Sequence, residues 1–186
     1  MPMELLIPLT IFLALLGLFA VLIRRVGLLV GESHEIASFS RATSDLAARI
    51  DGTLASITTK IDTVRRRQVD AALIGPDLDG ALEALLAYGV EAKAMLGPPV
   101  TAPSRAAFVA EIDRAERALQ MVEYGCAILG SMGGVERLGE AETAIKRGYL
   151  NVVHAREALA RHASEIAAAR PRDEMRWLTR RGRGHG

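Results

Sequence analysis

"LGEAETAIKRGYLNVVHAREALARHASEI", Leu138 to Ile166, carries two rows at once. Leu138, Ile145, Val152, Leu159 and Ile166 recur every seven residues, and beside them runs a column of small residues, Ala141, Gly148 and Ala155. Seven-residue spacing places side chains on one stripe of an α-helix, and a small column beside a large one lets a partner helix come close. The stretch therefore predicts a packed helix with a neighbour, and an all-α fold.

The same pattern extends toward the amino terminus. Phe108, Ile112, Ala115, Leu119, Val122, Cys126 and Leu129 step by four and three, predicting a second seam; Cys126 sits on it as a buried, inert thiol. "GSMGG", Gly130 to Gly134, separates these helices. It lacks the preceding strand and the lysine of a phosphate loop, so it reads as a helix connection. "GPPVTAPS", Gly97 to Ser104, ends an earlier helix marked by Leu78, Leu82, Leu85, Gly89, Ala92 and Leu96.

Before that, Ile36, Thr43, Ile50, Ile57 and Val64, with Phe39, Leu46, Leu54 and Ile61, predict a long amphipathic helix from about Glu32 to Leu73, broken by "IGPD" at Ile74 to Asp77. Five acid-before-base pairs at i,i+4 support the helices: Asp45 with Arg49, Asp62 with Arg66, Asp113 with Arg117, Glu142 with Lys146, and Glu157 with Arg161. The expected core is an antiparallel three-to-four-helix bundle, with the long helix either its fourth member or a stalk.

Composition agrees. Half of the residues are hydrophobic but only 4% are aromatic, as in helices packed through small and aliphatic side chains. Arginine supplies 20 of the 23 basic residues, which reads as the codon bias of a GC-rich bacterial genome. The net charge of +1 is unevenly placed. Residues 75–169 hold 13 acids against 9 bases, while 170–186 hold six arginines against Asp173 and Glu174.

The first 25 residues set the location. From Leu5 to Ile23 the chain has 19 uncharged residues, long enough as a helix to cover about 28 Å, near the thickness of a bilayer core. The leader "MPME" lacks Lys or Arg, and "FAVLIRR" offers no Ala-x-Ala, so the run predicts a retained single-pass anchor rather than a cleaved signal peptide. Arg24 and Arg25 follow at once and predict a cytoplasmic body with the N-terminus outside, in the inner membrane. The lone cysteine permits no intrachain disulfide. Four segments result: anchor and juxtamembrane residues 1–31, the long coiled-coil-like helix 32–74, the bundle 75–169, and the arginine-rich tail 170–186, read as disordered. A span followed by "ESHEIASFSRATSDLAARIDGTLASITTKIDTV" resembles bacterial inner-membrane proteins of the anchored coiled-coil type. The resemblance covers about 70 residues and implies no activity.

Little in the chain points to catalysis. A metal site in a helical bundle wants Glu-x-x-His on two helices, but Asn151 stands three before His154 and Leu159 three before His162; no metal or cofactor is expected, and no enzyme. Arg65, Arg66 and Arg67 spread around their helix, there is no aromatic interleaving and no overall basic charge, so nucleic acid is disfavoured. Tyr149, Asn151 and His154 are the candidate partner-contact face, in the densest polar cluster. Arg176, Trp177, Arg180 and Arg181 are candidate contacts to anionic lipid. The expected function is a membrane-anchored interaction or scaffold protein, an accessory subunit that binds a protein partner or itself through helical faces. The alternative is a signalling element that couples the span to the bundle.

Overall fold

The computed structural model of the chain describes residues 3–67, 69–131 and 136–169, with the side chains of 3–14, 20 and 22–33 outside the description. Every regular element among the described residues is helical: α1 Met3–Arg65, α2 Gly75–Ala94, α3 Ala102–Gly130 and α4 Leu138–Ala167, with short 3-10 segments at Ala71–Ile74 and Pro99–Thr101. Ser38–Ala169 forms one compact unit, and the residues before Ser38 fall in another.

In that earlier unit the backbone is helical from Met3. Among the described residues no helix is long and apolar enough to cross a membrane. Most side chains of the expected span, Leu5 to Ile23, lie outside the described residues; Leu15 to Phe19 and Val21 lie inside, and all are exposed.

The later unit is an up-down-up-down bundle of four helices. Arg49 pairs with Glu91, and Lys60 with Asp77, so α1 and α2 run antiparallel. Gly89 meets Ile112 and Lys93 meets Asp113, which sets α2 against α3. Gly125 lies against Ala141 and Gly148 against Ala118, which sets α3 against α4. Arg156 reaches back to Asp51 and closes the ring. From Ser38 onward α1 therefore packs as the fourth helix. Both ends of the unit, Ser38 and Ala169, consequently emerge on the same side of the bundle.

The core is the set of stripes read in sequence. Ile50, Leu54 and Ile61 of α1, Leu78 and Leu85 of α2, Ile112, Leu119 and Val122 of α3, and Val152 and Ile166 of α4 are buried completely or nearly so. Thr43, on the α1 seam, is buried because its hydroxyl donates to the Phe39 carbonyl oxygen at 2.9 Å, leaving no unpaired group. The small column behaves as its spacing predicts: Ala141, Gly148 and Ala155 are all buried. A Cβ on Gly148 would stand 2.5 Å from Val122 Cγ2 and 2.7 Å from the Ala118 carbonyl oxygen, and one on Gly125 would stand 2.9 Å from the Ala141 carbonyl oxygen. The α3–α4 pair is thus brought close at two glycines, each against the backbone of the other helix.

Two stripe residues turn out differently. Leu96 lies beyond the end of α2 in the Gly97–Pro98 connection and is 93% exposed, and Leu138, in the first turn of α4, is exposed as well. The break after α1 also falls earlier than "IGPD". The helix stops at Arg65, Arg67 takes a left-handed φ of 56°, and the Asp70 carboxylate accepts from the Ala72 N–H at 3.0 Å to start the next segment. Gly75 and Pro76 then lie in the first turn of α2, where a proline's missing N–H has no helical partner to lose.

Candidate functional site

The three residues of the expected contact face are spread around α4. Tyr149 is half-buried against the core, with the Arg65 guanidinium 4.2 Å above its ring centre, so it faces α1. Asn151, two residues on, points about 200° away around the helix and is half-buried; His154 is exposed on the outer face. Tyr149 therefore serves an interhelical contact, while His154 belongs to an outer stripe with Arg147 and Leu150. Lys146, on the same outer side, and Arg147 donate to no carboxylate among the described residues. Glu142, the expected i,i+4 partner of Lys146, turns to Arg67 instead.

At the end of the bundle remote from Ser38, an open cleft of about 830 Å³ lies between the close of α1 and the start of α4. Val64, Ala71, Leu129 and Ile145 floor it, and Arg65, Arg67 and Lys146 stand on its rim with Asp70 and Glu142. The left-handed Arg67 is what swings the chain across this end. None of the lining residues is a nucleophile beside a base. An apolar floor beside guanidinium and ammonium groups offers an amphiphile contacts for both of its parts. Neither the Arg65–Tyr149 stack nor the Arg67 turn is signalled in the sequence, since both depend on how α1 meets α4.

Among the other polar groups, Tyr124 donates to Glu140 Oε1 at 2.7 Å and Arg137 donates to both, pinning the start of α4 to the end of α3. These bonds, Arg137 first, hold the Glu140 carboxyl down at about 2. His162 Nδ1 lies 2.8 Å from Glu165 Oε2, and Ser104 Oγ also reaches that carboxylate, at 3.3 Å. The carboxylate sits between serine and imidazole, so the order needed to activate the hydroxyl is absent. Burial, with the Glu123 charge adding to it, pushes the Cys126 thiol up to about 11, which keeps it protonated and unreactive at neutral pH. No group of three or more His, Cys, Asp or Glu side chains among the described residues is placed to hold a metal. The side chains of Arg24 and Arg25 lie outside the described residues, as do Arg176, Trp177, Arg180, Arg181 and His185.

Comparison of the chain with protein-family models, with curated proteins and with solved structures finds no match.

Proposed function

We propose that this protein is a single-pass anchored scaffold, an accessory subunit of a bacterial inner-membrane assembly, with its N-terminus outside and the Ser38–Ala169 bundle on the cytoplasmic face. The observation that carries the reading is the state of the apolar run. Leu15, Leu16, Leu18, Phe19 and Val21 are 55 to 65% exposed, and at 100° per residue they and the exposed Gly17 leave no arc of the helix wider than about 100° without an uncharged residue. A helix that is apolar all round needs an apolar surrounding, and no described part of the protein supplies one; lipid does. Arg24 and Arg25 then give the orientation, and a bundle whose polar clusters hold helices together fits a binding task better than a chemical one.

Two measurements test this. Carbonate washing should leave the chain in the membrane fraction, and a cytoplasm-type reporter fused after Gly186 should be active; alkaline phosphatase activity in that fusion would overturn the orientation. Changing Arg24 and Arg25 to Glu should loosen it. The six arginines of 170–186 suit anionic headgroups at about 1 kcal/mol each. Salt-sensitive flotation of a fusion carrying residues 170–186 with anionic liposomes checks that contact. The signalling alternative draws on α1, which runs as one helix from Met3 to Arg65. A stoichiometric complex in a mild-detergent pull-down favours the subunit, and contacts that appear only on stimulation favour the signalling element.

A further inference from the structure

The unpaired charges of α2 and α4 differ in sign. On α2, Asp77 pairs with Lys60, Glu91 with Arg49 and Lys93 with Asp113. The remaining charges of that helix, Asp79 and Glu83, are exposed acids with no hydrogen bond or ion pair to the rest of the chain. They share an outer stripe with Leu86 and Val90, which are 54% and 70% exposed. On α4 the sign is reversed. Arg156 pairs with Asp51, Glu142 with Arg67 and Glu140 with Arg137, which leaves three exposed cations, Lys146, Arg147 and Arg161, against one exposed acid, Glu157, with His154 exposed beside them. Arg147, Leu150 and His154 form the outer stripe, with Leu150 43% exposed between the two nitrogen bases.

These two stripes cannot meet within one chain. α2 and α4 each pack between α1 and α3, so they occupy opposite corners of the bundle and their outer faces point away from each other. They are nevertheless at matching heights. Lys60 meets Asp77; nine residues back along α1 is Asp51, which meets Arg156, and nine forward along α2 is Leu86. Leu86 thus stands level with Arg156, Glu83 with Val153 and His154, and Asp79 with Tyr149 and Leu150, less than a turn from Arg147. α2 and α4 also run in the same direction. Glu157, the unpaired acid of that α4 stretch, falls level with Ala87, where α2 carries no charge.

We propose that copies of this chain associate side by side, the α4 stripe of Arg147, Leu150 and His154 on one copy resting against the α2 stripe of Asp79, Glu83 and Leu86 on the next. The contact is heterologous: each copy offers one surface and accepts on the other, so it repeats into a row or a closed ring. Gly80, beside Asp79, has open space where a side chain would be, which lets the neighbouring Leu150 approach. The arrangement rests on the anchored reading in one respect: a shared membrane holds neighbouring copies in the same direction and height.

Disulfide trapping in the full chain tests it. In a Cys126→Ala background, membranes holding Glu83→Cys with His154→Cys in one chain are oxidised with copper phenanthroline. A ladder of dimers, trimers and higher species is expected, with no dimer from either single-cysteine chain. Trapping through Gly80→Cys with Leu150→Cys should fall at least tenfold on adding Asp79→Arg and recover on adding Arg147→Glu. It should also weaken as salt rises, since the stripes are exposed. Membrane-bound chain of parental helix content that gives no ladder overturns the proposal. So does a dimer from Glu83→Cys alone, which would mean a symmetric α2–α2 contact. If the chain appears in the soluble fraction, the anchored reading fails, and oxidation of that fraction decides this one.

Discussion

Replacing Gly148 with alanine puts a methyl group where α4 lies closest to α3. The new Cβ would stand 2.7 Å from the Ala118 carbonyl oxygen and 2.5 Å from Val122 Cγ2. Val122 can yield by changing rotamer, but the backbone oxygen cannot, and an ordinary carbon–oxygen contact requires the helices to part by about 0.5 to 0.7 Å. A gap of about that size forfeits a quarter to a half of each dispersion contact along the seam. With the strain of overpacking the cost is about 2 to 3 kcal/mol, from which the better helix propensity of alanine recovers about 1. The net loss is about 1 to 2 kcal/mol. Gly52→Ala is the control, because nothing lies within 4 Å of its added Cβ in the middle of α1. It should gain about 0.5 to 1 kcal/mol. Cys126, buried one residue from Gly125, reports the opening: its labelling by a disulfide reagent in the full chain should run about 5 to 30 times faster in Gly148→Ala and a few times slower in Gly52→Ala. Parental or slower labelling in Gly148→Ala would refute the close approach of α3 to α4.

The Cys126 thiol ionises near 9 when unfolded and is held up to about 11 by burial, so the folded state binds its proton more tightly. Stability should fall between pH 9 and 11, and the fall should be smaller in Cys126→Ala, measured as denaturation midpoints at pH 8 and 10.5. Glu140 shows the opposite sign: its folded carboxyl is lowered to about 2, so its contribution is present above about 4.5 and lost as pH falls toward 2. Tyr124→Phe removes one of the groups that donate to it, and carboxyl titration by NMR should show Glu140 moving back toward its ordinary value; no movement would show that the hydroxyl is not bound there. Arg65→Ala removes the guanidinium from above Tyr149 and should cost about 0.5 to 1 kcal/mol, read as a lower melting temperature, with Arg65→Lys recovering part of it.

The helices and their seams are legible because burial leaves a periodic trace that needs no knowledge of the partner. Gly148 and Ala141 announce a close neighbour by being small every seven residues; that the neighbour is α3, and that Gly125 answers from the other side, is settled only by packing. The turn after α1 left no trace for a physical reason. Val64, Ala71 and Leu78 keep the seven-residue spacing straight across the chain reversal, and all three are buried, so the stripe appears continuous where the helix is not. No glycine or proline marks the reversal. Arg67 takes the left-handed conformation itself, at a cost of about 1 to 2 kcal/mol that the surrounding contacts must offset.

Charge pairing was the least legible layer, and the reason bears on the surface of the molecule. Of the five i,i+4 pairs, Asp45–Arg49 forms within α1 at 3.5 Å and Asp62–Arg66 forms across its last turn at 2.7 Å. Asp113 turns to Lys93 on α2, and Glu142 turns to Arg67 beyond the end of α1. An exposed helical pair is worth only about 0.3 to 0.5 kcal/mol, so a cross-helix cation at similar distance competes on equal terms, and only the fold decides. Each diversion has a remainder. Because Glu142 serves Arg67, Lys146 is left without its carboxylate, and the outer side of α4 keeps a positive excess that composition alone would have cancelled. The bundle thus closes its internal clasps with acids drawn from its own surface, and the cations left over on α4 face outward at the height where α2, on the opposite corner, has acids to spare.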